Sequence, residues 1–248
     1  MSPHSLRALV PLALLAFAAG CGGGSSSVPT ASAPSLPQGG EAVQLDPSTF
    51  TANVDNPWWP MKPGSRWVYR ETDAEGTVTR VEVTVMSGTK TIMGIESRIV
   101  HDVLTEDGEV KEDTYDWYAQ DASGNLWYMG EDTKEFDKGK VNTEGSWEAG
   151  VDGAQPGILI PADPKPGMRY RQEYYAGHAE DNAQVLALDG AAVVPFGSLD
   201  HLLQTRETTP LEPDLVEEKF YARGIGEVTA LTISGGSDRE VLLSFTSG

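Results

Sequence analysis

The chain has 248 residues, with 18 basic and 37 acidic side chains and a formal net charge of −19. A surface that acidic repels phosphate backbones and anionic headgroups, which excludes nucleic-acid binding as a function class. With Cys21 as the sole cysteine, a disulfide framework and thiolate chemistry in the folded part are excluded too, so stability must come from a core.

Residues 1–20 read as a signal peptide. Arg7 gives a basic start, and ALVPLALLAFAA (8–19) is an apolar run of twelve, too short to span a bilayer as a helix. It ends in AAGC, a junction that resembles the lipobox of bacterial lipoproteins, with Ala18 where leucine is usual. That resemblance implies that Cys21 becomes the lipidated first mature residue and anchors the chain to the outer face of an envelope membrane. A plain secreted protein is the alternative. Cleavage would leave 17 basic against 37 acidic residues, net −20. Residues 21–45, rich in Gly, Ser and Pro, read as a flexible tether.

Residues 46–248 read as one all-β, antiparallel domain. Apolar residues recur with period two (Val81, Val83, Val85; Val241, Leu243, Phe245), and turn signals such as DAEG at Asp73 and DASGN at Asp121 punctuate them. No long capped helix is expected, only a brief helical turn around Pro195–Leu203. NPWWP, with Trp58 and Trp59, is expected to plug one end of the core.

KPGSR at Lys62 returns as KPGMR at Lys165, 103 residues later, and WYA at Trp117 returns as FYA at Phe220 at the same offset. The same slide sets Val85 over Leu188. Turn glycines and core aromatics that hold one register for so long point to a duplicated unit, about 62–129 and 165–246. Two such halves make a barrel-like sheet, a sandwich or a strongly curved sheet.

What the halves do not share is where specialisation is expected. The inter-unit segment, 130–164, carries Glu131, Asp132, Glu135, Glu144, Glu148 and Asp152 around Trp147. It reads as a hairpin and loop covering a sheet edge, with a cover over a barrel mouth as the alternative. EYYAGHAED (173–181) replaces an ordinary hairpin with Glu173, Tyr174, Tyr175, His178, Glu180 and Asp181. With Trp147, these seven are the candidate ligand-binding set. Glu131, Asp132, Glu135 and Asp152 are the candidate oxygen ligands for calcium. His178 beside carboxylates such as Glu180 also fits a general base in a hydrolase, but G-x-S-x-G, H-E-x-x-H, P-loop and G-x-G-x-x-G motifs are all absent. DASGNLWYMGED (121–132) has Leu126 where an EF-hand loop needs glycine.

The stretches DNPWWPMKPGSRWVY, EDTKEF, GSWEAGVDGAQPG and YRQEYYAGHAED resemble an uncharacterised family of secreted bacterial β-rich proteins, and FYARGIGEV is similar to strand–turn–strand motifs of envelope lipoproteins. The resemblance implies an envelope location and an all-β fold, and supplies no activity or catalytic residue. The reading that results is a lipid-anchored, non-enzymatic envelope protein binding a small apolar or sugar-like ligand or a protein partner. A calcium-dependent module and a carboxylate/His178 hydrolase stand as alternatives.

Overall fold

The structure is a computed structural model, and it describes residues 36–248. The signal segment, Cys21 and the first part of the tether therefore lie outside the described residues.

A single 3-10 turn at Pro47–Thr49 precedes β1 (Phe50–Thr51), β2 (Arg66–Thr72), β3 (Val78–Ile92), β4 (Ile95–Glu106) and β5 (Glu109–Asp121). Next come β6 (Leu126–Asp137), β7 (Lys140–Asn142), β8 (Trp147–Glu148), β9 (Gln155–Ile160), β10 (Arg169–Arg171) and β11 (Glu173–Tyr174). The chain finishes with β12 (Asn182–Val194), β13 (Gly197–Thr208), β14 (Val216–Ala222), β15 (Gly226–Ser234) and β16 (Arg239–Thr246). All pairings are antiparallel, in the order β10-β12-β13-β14-β15-β16-β2-β3-β4-β5-β6-β9-β11. The two ends of that path, β10 and β11, are separated in sequence only by Gln172. The sheet is thus a nearly closed barrel, and closure removes the free edges that an open sheet of this size would expose.

No helical turn forms around Pro195–Leu203. Pro195 and Phe196 make the tip of the β12–β13 hairpin, Phe196 N–H donates to Leu242 O at 3.1 Å, and β13 begins at Gly197. The DASGN turn is held by its own aspartate: Asp121 accepts from the Ser123 and Asn125 amides, the Asn125 side chain and Trp127 Nε1.

The two K-P-G turns carry the same backbone hydrogen bonds. Ser65 N–H donates to Lys62 O, Gly64 N–H to Val85 O and Val85 N–H to Ser65 O; Met168, Gly167 and Val185 repeat this with Lys165, Val185 and Met168. Gly64 and Gly167 sit at φ 88° and 91°, a conformation open to glycine and costly to other residues. The counterpart of Val85 is accordingly Val185 and not Leu188. The offset between the halves is thus 100 residues at this point and returns to 103 at Trp117 and Phe220, and the pairing irregularities of β3–β4 and β12–β13 lie within that return.

The inter-unit segment is wall. β7, β8 and β9 all pair with β6, and β9 passes the sheet on to β11, so this stretch covers what would be an open edge. Residues 36–45, at the end of the sequence read as a tether, run along the seam. Arg171, 1% exposed, donates to Gly39 O, Glu41 O and Pro156 O, while its own amide donates to Pro37 O at 2.8 Å. Burial pulls the Arg171 guanidinium below its usual range, yet three carbonyls still receive its protons.

At the other side of the interior, Trp58 and Met61 are buried, and the Trp59 ring lies 6.3 Å from Trp67, 6.4 Å from Tyr118 and 5.9 Å from Tyr221. Those three rings belong to β2, β5 and β14, strands far apart in the sheet order. One indole therefore bridges three non-adjacent strands from within the barrel.

The seam gives a direct test. A Cβ on Gly157 of β9 would overlap the backbone of Arg171 and Gln172, whereas Gly139, in an open turn at φ 78°, meets nothing. Gly157→Ala should cost more than about 3 kcal/mol in urea unfolding, and Gly139→Ala only about 1. Equal losses would mean that the closure is not close-packed.

Candidate functional site

Period two in a barrel wall sends alternate side chains inward. On β5 that parity carries Glu112, Thr114, Asp116 and Tyr118; on β14 it carries Glu217, Lys219 and Tyr221. All seven line one cavity of about 210 Å³. Asp102 of β4, Glu131 of β6, Glu173 of β11, Asp181, Glu207 of β13 and Glu227 of β15 line it too, so nine carboxyl groups face one lysine. Trp59, Tyr128 and the two tyrosines already named supply aromatic surface, and the exposed His178 stands at the rim.

Lys219 organises the acids. Its Nζ lies 3.0 Å from Glu207, which is buried and also receives hydrogen bonds from Gln172 Nε2 at 3.1 Å, Thr205 Oγ1 at 3.3 Å and Tyr221 Oη at 3.4 Å. Burial disfavours the ammonium, but the charges of Glu207, Glu227 and Glu217 outweigh it and hold the Lys219 pKa well above its usual range.

The acids feel the opposite balance. Burial, then the Glu207 charge, lifts the Asp181 carboxyl to about 7 against the pull of Lys219 and of hydrogen bonds with Thr209 and Glu173. Burial likewise lifts Glu227 to about 7 against Lys219, with a hydrogen bond to Glu240. Glu240 is pushed well up by burial and by Glu227, and Glu217 is raised by burial. Protons are therefore part of this interior at neutral pH.

Of the residues singled out in the sequence, Glu131, Glu173, His178 and Asp181 converge on the cavity. Trp147 does not line the cavity itself but is buried beside it, its Nε1 donating to Glu173 Oε2 at 2.9 Å and its ring edge-on to Tyr128. Tyr175 stacks on His178 at 4.4 Å, and Tyr174 packs over Gly40 of the seam segment. Glu180 Oε1 accepts the Gly177 amide at 2.7 Å, which ties it to its own turn and not to His178.

The four oxygen ligands do not gather. Glu131 and Asp132 are neighbours in β6 and face opposite ways: Asp132 is exposed and pairs with Lys134 at 3.4 Å. Glu135 accepts from Asn142 Nδ2, and Asp152 sits in an exposed turn at φ 50°. Among the described residues no group of three or more His, Cys, Asp or Glu is arranged to hold a metal ion.

Asp102, Glu112, Asp116, Glu207, Glu217, Lys219 and Glu227 escaped the sequence reading, although a signal existed. In E-x-T-x-D-x-Y (112–118) and E-x-K-x-Y (217–221), the charged residues share the parity of the tyrosine in each WYA/FYA repeat. An acid in phase with a core aromatic points inward.

No family model matches the chain, and no curated protein does. Two solved structures are similar to it. One is a protein assigned as a lipoprotein from Parabacteroides distasonis ATCC 8503 (12% identity, TM-score 0.46, 76% of this chain and 98% of that one). The other is a protein assigned as exported, with a YmcC-like fold, from Bacteroides fragilis NCTC 9343 (13% identity, TM-score 0.44, 77% and 99%).

The raised carboxyl pKa values fix a sign. A carboxyl whose folded pKa lies above its unfolded value near 4 favours the fold when protonated, so its contribution is full below about pH 4 and is lost as pH rises through about 7. Unfolding free energy should therefore fall as pH rises from about 4 to about 7, by on the order of 2–4 kcal/mol, and level off above that. Asp181→Asn should flatten that slope. Lys219→Met should cost about 3–5 kcal/mol at pH 7.5 and clearly less at pH 5, where the acids it faces take up protons. Denaturant melts across pH check all three; a slope of the opposite sign would overturn the assignment.

Proposed function

We propose that the protein is a cell-envelope binding protein, held to a membrane through Cys21, whose barrel interior takes a small organic cation. The supporting observation is the wall of nine carboxyl groups facing Lys219 and four aromatic rings in a cavity of about 210 Å³. With Asp181 and Glu227 about half protonated at pH 7, acids still greatly outnumber the one ammonium.

A wholly apolar ligand would take water from this much negative charge without offsetting it, so we place a charged guest ahead of the apolar or sugar-like one expected from the sequence. The dispersal of the acids over many strands suits an amine with carbon around its charge better than a bare metal ion. The rings add cation–π attraction, worth about 0.5–2 kcal/mol where water is displaced. The reading is non-enzymatic: the interior offers a charged, aromatic cage, and Glu180, the carboxylate expected beside His178, is tied to its own turn.

The test titrates the full, unacylated chain with choline, cadaverine and spermidine, followed by tryptophan fluorescence and calorimetry. Parallel arms use calcium with and without chelator and a neutral sugar. At least one amine should bind, more weakly as salt rises, and Glu217→Gln should weaken it roughly tenfold while melting no lower than wild type. Stabilisation by calcium that chelator reverses, with no response to amines, would establish the calcium module instead. Binding of the sugar alone would return the site to a carbohydrate ligand.

A further inference from the structure

The outer face of the barrel carries a second constellation, made of arginines. In β2, Arg70 stands directly opposite Arg80 of β3 and opposite Val241 of β16; Arg239 of β16 stands opposite Thr72. Arg70 and Arg239 are therefore diagonal neighbours on one face, about 7–8 Å apart along the backbone. Arg66 lies further along β2. Like charges placed directly across a strand pair destabilise a sheet. A chain with 37 acids has ample means to neutralise such a row, yet a single acid serves it: Glu82 pairs with both Arg66 and Arg80. Arg70 and Arg239 make no ion pair among the described residues, and both are exposed.

These two line a groove of about 310 Å³, with Thr72 and Ser237 on its walls and Pro195, at the tip of the β12–β13 hairpin, overhanging it. The one acid there, Asp73, uses Oδ1 to accept the Glu75 and Thr77 amides of its own turn. Strand alternation completes the separation, because the acids next to these arginines, Glu71 and Glu240, have the opposite parity and face the interior.

We infer that this groove is an anion site in which Arg70 and Arg239 clamp a phosphate group, with the Thr72 and Ser237 hydroxyls as additional donors. Guanidinium forks match phosphate oxygens in pairs, which a point charge does not. At physiological salt the protein's overall negative charge is largely screened beyond about 8 Å and opposes an anion only close to the surface, so the site selects compact anions or a surface already brought near by the anchor. It is separate from the interior cavity and does not depend on the amine reading.

The experiment uses the full, unacylated chain with two probes. Pyrophosphate is titrated by calorimetry, and vesicles of phosphatidylcholine with or without phosphatidylglycerol are tested by co-sedimentation. Wild type should bind at least one probe. The Arg70→Gln/Arg239→Gln double variant should lose about tenfold or more in affinity while melting no lower than wild type, since a repulsive row has been relieved. Arg66→Gln, which touches an arginine already paired, should change affinity less than about twofold. Vesicle binding lost in the double variant assigns the phosphate to a lipid headgroup, and pyrophosphate binding alone assigns it to a soluble compound. Binding to neither probe, or equal binding by the double variant, overturns the site.

Discussion

The charge balance around Lys219 is the constraint on which the rest of this barrel depends. A sheet closed on itself must fill its interior, and one half of this interior is filled by Trp, Tyr, Ile and Val in the ordinary way. The other half is walled with carboxyl groups, each carrying a desolvation penalty that an apolar residue would not. One ammonium, with Glu207 at 3.0 Å and Glu217 and Glu227 within its field, offsets part of that penalty, and bound protons on Asp181 and Glu227 offset more. Buried ionic groups are rarely the cheapest way to stabilise a fold. Their presence here is what leads us to propose a binding role for the interior.

The closure of the sheet serves the same interior. Gln172, the residue that separates the two ends of the strand path, sends its side chain to Glu207, while Arg171 beside it turns outward to hold residues 39–41. The seam is therefore wired on one side to the acid cluster and on the other to the segment that leads back toward Cys21. Trp59 works from the opposite direction, touching rings from three remote strands and limiting how far the cavity extends.

How much of this was legible in the sequence follows from what each feature requires. Strands and turns were legible because period two and turn residues are local properties. The paired K-P-G turns were legible as well, and their identical hydrogen bonds are what a duplication, which we propose, would leave behind. The change of offset at Val85 and Val185 was not, since bulges absorb residues without changing the apolar pattern. The hairpin of residues 173–181 drew attention by composition, and Glu173, His178 and Asp181 do reach the cavity. Its partners were hidden because an acid in a strand reads as solvent-facing until the phase of the nearest buried aromatic is fixed. Asp132, Glu135 and Asp152 misled in the converse way: closeness in sequence placed them together, and alternation and a turn placed them apart.

Alternation also explains how an acidic protein comes to carry both an acid-lined interior and an outer row of arginines. Arg70 precedes Glu71, Arg239 precedes Glu240 and Arg206 precedes Glu207, so each pair straddles the wall with its base outside and its acid inside. Each step along such a strand moves positive charge to the outer face and negative charge to the lumen. The net charge of the chain says only that acids are in excess. Their parity decides that much of the excess is concentrated where water is scarce and a cation gains most, while a smaller basic face is left on the outside where the wall turns its arginines to solvent.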